Sequence, residues 1–240
     1  MTDRRVFRLT GADRIAFLQG LVTNDMRRLP AYAALLTPQG KYLADFFVIE
    51  QGDGLLLDLD AAQADDVIRR LSMYKLRSDV VIEETGITVT RGTGPAPDGA
   101  VADPRHPALG WRGYGVGADD ATDWDALRVE HLIPQAGVEL TPDSYILEAG
   151  FERLNGVDFR KGCYVGQEVT ARMKHKTELK KGLARVILEA PVPVGTPLLM
   201  ADGREAGVVY TQSGGRGIAH LRFDRAQGAL SADGVAARAE

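Results

Sequence analysis

The 240 residues, 45% hydrophobic and 26% charged, have an ordinary globular composition, with apolar material for one large domain or two unequal ones. A net charge of −4 excludes a global basic field that would recruit nucleic acid or an anionic membrane. The one cysteine excludes an internal disulfide, and four scattered histidines (His106, His131, His175, His220) lack metal-ligand spacing, so no metal centre held by this chain alone is expected.

Residues 1–10 carry three arginines but no apolar h-region, and no later stretch has the length and apolarity to span a bilayer. The chain therefore reads as cytoplasmic, with no membrane contact. A strand over 6–10 leads into a helix over 13–23, with Asp13 as N-cap and Ile15, Leu18, Leu21 and Val22 at helical spacing. Strands over 32–36, 42–50 and 55–59, punctuated by Pro38-Gln39-Gly40 and by 51–54, read as antiparallel hairpins. A helix over 61–73 follows, with Ala64, Val67, Ile68 and Leu71 as its apolar stripe, and then strands over 80–83 and 87–90. The Gly-, Pro- and Asp-rich stretch 92–107 reads as a surface loop or hinge, and 123–132 as a third helix ended near Pro134. Beyond Lys181, short aliphatic runs over 183–188, 196–200, 207–211 and 218–223 alternate with Gly/Pro turns, the pattern of a small β-barrel. Two domains are expected, an α+β region over 1–176 and a barrel over 177–240, with the charge run 174–181 as the exposed junction.

The segment that carries chemistry is Lys161-Gly162-Cys163-Tyr164-Val165-Gly166-Gln167-Glu168, continued by Val169-Thr170-Ala171-Arg172. Lone cysteines are mostly buried and inert. Here Arg160 and Lys161 precede the thiol, and Arg172, Lys174 and His175 follow it. Positive charge and a helix starting near Gly166 both favour a thiolate, while Gly162 and Gly166 let the backbone approach a ligand closely.

The run KGCYVGQE resembles the signature of the YgfZ-type folate-binding proteins, relatives of the glycine-cleavage T-protein, an aminomethyltransferase. The continuation Thr170-Ala171-Arg172, with Lys180-Lys181, is especially similar to the mitochondrial-type iron–sulfur assembly branch of that family. Gly11-Ala12-Asp13, Phe17-Leu18-Gln19-Gly20, Thr23-Asn24-Asp25, Pro38-Gln39-Gly40-Lys41, Tyr74-Lys75-Leu76-Arg77, Arg128-Val129-Glu130 and 217–222 extend the likeness over nearly the whole chain.

The resemblance implies an α+β, T-protein-like three-lobed ring: two α+β lobes and a C-terminal barrel, with tetrahydrofolate or a derivative in the central opening. It implies Glu130 for the pterin edge and Lys75 and Arg77 for the anionic tail. Asp45, Tyr164, Gln167 and Glu168 are expected as further cofactor contacts, and Cys163 as the reacting group. The implied partners are a reduced folate and iron–sulfur assembly proteins or client enzymes. In the aminomethyltransferases a Gly-Gly pair leads into adjacent aspartates; here Gly40-Lys41 leads to Ala44-Asp45, so aminomethyl transfer is not expected. Three other readings remain open. They are a folate-dependent one-carbon transferase, a tRNA-modification factor using the basic run 172–181, and a binding module in which Cys163 only packs.

Overall fold

The computed structural model describes residues 3–176 and 178–240, and the domain junction expected at 176/177 falls on Thr177, outside them. The chain forms two compact units. One holds the described residues up to Thr122 together with Glu152–Val169, and the other holds Asp123–Phe151 with Thr170–Glu240.

The first unit is built on five antiparallel strands in the order β2-β3-β4-β1-β5: β1 (Arg4–Thr10), β2 (Ala31–Leu36), β3 (Tyr42–Gln51), β4 (Gly54–Asp60) and β5 (Val81–Glu84). Every residue of β2 and β4 is buried, so this sheet is covered on both faces. On one face, Leu9, Phe46, Val48, Leu57 and Leu59 pack with Leu18 of α1 (Arg14–Gln19) and Val67 and Leu71 of α2 (Ala61–Lys75). Helix α2 starts where expected because Asp60 accepts from the Ala62 amide as N-cap. Helix α1 stops at Gln19, short of the expected end; Val22 instead bridges to Leu35, and the Lys161 ammonium takes the carbonyls of Gln19, Val22 and Asn24.

The opposite face of the sheet mixes apolar side chains such as Phe47 with buried charges. Asp58 of β4 accepts from Arg4 (2.6 Å) and from Arg112 (2.5 Å) and Tyr114 (3.0 Å) of β8 (Trp111–Tyr114). The Arg112 guanidinium lies 3.8 Å from the centre of the Phe47 ring. Burial pushes the Asp58 carboxyl up, but Arg112 and Arg4 outweigh it and hold the group below the usual carboxylate range. Strand β8 is the middle of a three-stranded sheet between β6 (Val89–Gly92) and β7 (Val101–Ala102). The sixth strand is thus later than the expected 87–90, and the presumed loop 92–107 contains a strand.

In the second unit, β9 (Lys181–Leu188), β10 (Thr196–Met200), β11 (Glu205–Ser213), β12 (Arg216–Arg222), β13 (Leu230–Ala232) and β14 (Val235–Ala239) close into a barrel. Closure rests on the β10–β13 pairing, through a β13–β14 hairpin that hydropathy alone does not reveal. Val186, Leu188, Leu198, Val209 and Leu221 fill the interior. Helix α3 (Trp124–His131), N-capped by Asp123, is tied to the barrel by Glu139, which accepts from Arg128 and from Thr211 of β11 (2.6 Å). Helix α4 (Gln167–Lys176) runs from the first unit into the second.

Candidate functional site

Cys163 stands at an exposed tip between two buried anchors. Lys161 and Tyr164 are buried, whereas Gly162 and Cys163 between them face solvent. The Lys161 ammonium donates to the carbonyls of Gln19 (2.8 Å), Asn24 (2.9 Å) and Val22, so all three of its N–H groups are used at the end of α1. Its nitrogen also lies 5.0 Å from the centre of the Tyr164 ring. Burial pulls the Lys161 pKa down to about 8, against the opposing pull of Asp25 and Asp158. The cation expected to face the thiol is therefore committed to the backbone, and sequence reasoning missed it as an anchor.

A third anchor follows the thiol. Gly166 has φ +85, and a Cβ there would come within 2.7 Å of the Thr37 carbonyl and 2.9 Å of Leu36 Cβ. From the other side, a Cβ on Gly40 (φ +75) would meet Val169 Cβ at 2.8 Å. These two glycines let the Cys163 loop and the start of α4 sit directly on the β2–β3 turn. Gln167 and Glu168 open α4, Gln167 donating from its amide to the Tyr164 carbonyl (3.2 Å), and Glu168 is exposed.

Strand β3, which leaves that turn, carries Asp45. One register shift sets Leu35 opposite Ala44 but Leu36 opposite Tyr42, so Leu43 bulges and Tyr42 joins the face of Asp45. There the Asp45 carboxylate accepts from Tyr42 and from Tyr32 (3.0 Å). Burial, then the Asp45 charge, raises both phenol pKa values, so the hydroxyls stay protonated donors. Ala44 points the other way, into the apolar core. A second carboxylate at that position would be buried among hydrocarbon.

Lys75 ends α2 and Arg77 follows it on the surface. Glu130 belongs to the second unit, where the Arg-x-Glu spacing on α3 splits the motif. Arg128 turns inward to Glu139, and Glu130 turns outward to Arg185 (3.3 Å) and Arg216 (3.1 Å). Its side chain is 50% exposed, so each oxygen keeps acceptor capacity for a ligand. Among the described residues, no helix is long and apolar enough to cross a membrane.

Comparison with known proteins bears on this geometry. A family model for the CAF17 C-terminal β-barrel domain matches residues 180–240, the closed barrel. The iron–sulfur cluster assembly factor IBA57, mitochondrial, of Mus musculus is 30% identical, the match covering 96% of this chain and 78% of that one. Its homologue in Mycosarcoma maydis is 30% identical over 81% of this chain and 57% of its own length, and the human protein is 28% identical over 96% and 78%. The chain thus spans little more than half of the fungal relative. Aminomethyltransferase T of the glycine cleavage system from Bartonella henselae has the same fold, with a TM-score of 0.76 at 13% identity, covering 99% of this chain and 82% of that one. The expected T-protein-like α+β fold with a C-terminal barrel is borne out. The cytoplasmic reading is corrected, because these relatives are named as mitochondrial. Mitochondrial leaders are amphipathic and arginine-rich, so the lack of an apolar h-region never bore on that address. With 30% identity to the mouse protein over 96% of this chain and 78% of that one, the chain belongs to the IBA57 family.

Proposed function

We propose that this chain assists the assembly or repair of iron–sulfur clusters, with Cys163 as the reacting group and a reduced folate as its ligand. The observation that carries the reading is the presentation of the thiol: one exposed sulfur on a loop pinned by Lys161, Tyr164 and Gly166. Pinning fixes where the sulfur stands, and exposure lets another protein's cluster reach it. The cluster is cargo: on meeting it, the thiol releases its proton to solvent, and the thiolate sulfur donates a lone pair to iron as one ligand of the delivering protein lets go and stays with that protein. The relatives named as assembly factors support this role, as does the lack of metal-ligand spacing within the chain.

A reduced folate fits the residues on hand, and when bound it supplies one-carbon carrier chemistry. In the first unit Asp45, held in place by the Tyr32 and Tyr42 hydroxyls, keeps acceptor capacity for donors on a pterin edge; Glu130, in the second unit, keeps acceptor capacity of its own. Gln167 and Glu168 open α4 beside the thiol as further polar contacts. Aminomethyl transfer is disfavoured by Ala44, whose core-facing position leaves Asp45 without a neighbouring carboxylate on its strand.

Complementation of a deletion strain by Cys163→Ser tests the role of the thiol. The exposed substitution should leave the melting temperature and tetrahydrofolate affinity unchanged and fail to restore iron–sulfur enzyme activities. Restoration equal to wild type would show that the thiol is dispensable and end this reading.

A further inference from the structure

Large apolar side chains in solvent are concentrated in one stretch of the first unit, from the last turn of α2 to the start of β5. Of the seven that stand exposed among the described residues, four lie within residues 73–81: Met73 (61%), Tyr74 (47%), Leu76 (89%) and Val81 (44%). Folding of α2 does not use the first three, because its buried side is Ala64, Val67 and Leu71. Leu76 follows the helix at φ 38, ψ −101, a strained conformation for a residue with a side chain, and that side chain remains in water. Val81 opens β5, the edge strand whose one neighbour in the sheet is β1. Arg70, Lys75 and Arg77 belong to the same stretch of chain and have no carboxylate partner among the described residues. Nearby Arg5 and Arg69, by contrast, are matched by Asp65, Glu84 and Asp66.

We infer that this patch docks an acidic amphipathic segment of a partner protein, whose apolar side chains cover Met73, Tyr74 and Leu76 while its carboxylates meet Arg70, Lys75 and Arg77. Charge selects the occupant. An apolar patch by itself accepts any apolar surface, whereas unmatched cations around it select carboxylates and speed their approach. An anionic lipid surface carries the same sign, but it is extended and meets the wider surface of a chain of net charge −4, whereas a short acidic segment meets mainly the cations within a Debye length of it. Lys75 and Arg77 thereby meet protein carboxylates rather than a folate tail, and the surface stands independently of Cys163.

The test is a fluorescent peptide of about 18 residues, five helical turns, with leucines on one face and glutamates on the other, titrated against the full chain by anisotropy. Saturable binding that weakens with rising salt is expected. Met73→Ser with Leu76→Ser should weaken it about tenfold or more, and Lys75→Glu with Arg77→Glu should do the same while favouring a lysine version of the peptide. Both variants should keep the wild-type melting temperature and tetrahydrofolate affinity. The inference is overturned by absence of binding, by equal binding to the variants, or by binding to phosphatidylglycerol vesicles in place of the peptide. Self-association that the serine pair abolishes would also overturn it, as would loss of folate affinity in the glutamate pair. None of these results depends on the thiol, so they leave the complementation test untouched.

Discussion

Asp58 and Glu130 have nearly the same partners and opposite circumstances. Each carboxylate meets two arginines: Asp58 meets Arg4 and Arg112, and Glu130 meets Arg185 and Arg216. Asp58 is fully buried, with a tyrosine hydroxyl as third donor, whereas half of the Glu130 side chain faces solvent. In low dielectric, removing one charge of a cluster strands the others, while at the surface water replaces the lost partner. Burial, more than the ion pairs, thus separates a carboxylate that holds the fold from one still available to a ligand. The Cys163 loop repeats the contrast within two residues, with the Lys161 ammonium buried and satisfied and the thiol exposed.

Substitutions on each side of that contrast can break it. The largest effect is expected from Asp58→Asn, which takes the counter-charge from the half-buried Arg4 and leaves the buried Arg112 with only Asp103, at 3.5 Å, and should cost about 3–5 kcal/mol in urea unfolding. Because the folded-state pKa of Asp58 lies below its unfolded value, its contribution is present above the ordinary carboxylate range. It is lost as pH falls through the lowered value. The variant should therefore show a flatter loss of stability in acid than the wild type; equal acid slopes would show that Asp58 is not the group responsible.

Lys161→Met keeps the apolar stem but removes three donors, leaving the carbonyls of Gln19, Val22 and Asn24 without the ammonium. A loss of about 1–3 kcal/mol is expected, together with altered alkylation kinetics at Cys163 as its loop loosens. Unchanged kinetics would mean that Tyr164 and Gly166 suffice to hold the loop. Gly166→Ala meets both a left-handed φ and the Thr37 carbonyl, and should cost roughly 1–3 kcal/mol, read as a lowered melting temperature. Glu130→Gln marks the small end of the comparison. Arg185 and Arg216 also pair with Glu240, so stability should change by less than about 1 kcal/mol. Titration calorimetry with tetrahydrofolate should nevertheless show weaker binding, and an unchanged affinity would remove Glu130 from the ligand contacts.

Local pattern by itself determined the pieces that follow local rules. Helices α2 and α3 start at capping aspartates, the hairpins of β2–β4 follow their turn residues, and short aliphatic runs mark β9 to β12. The KGCYVGQE run also marked the segment that presents the thiol, and its likeness to the iron–sulfur branch pointed to the right family. Tertiary structure decided what depends on residues far apart in the chain. Asp58 inside the run LLLDLD signals a buried charge, yet its partner Arg112 lies 54 positions away, beyond the reach of any periodicity. The β10–β13 pairing closes the barrel in the same non-local way. Helix α1 ends early because an ammonium from Lys161 takes its last carbonyl, and that same contact turns an expected partner of the thiol into its anchor. Neighbours along the chain set caps, turns and faces, but burial, which decides what a charge is for, arises only when distant segments meet.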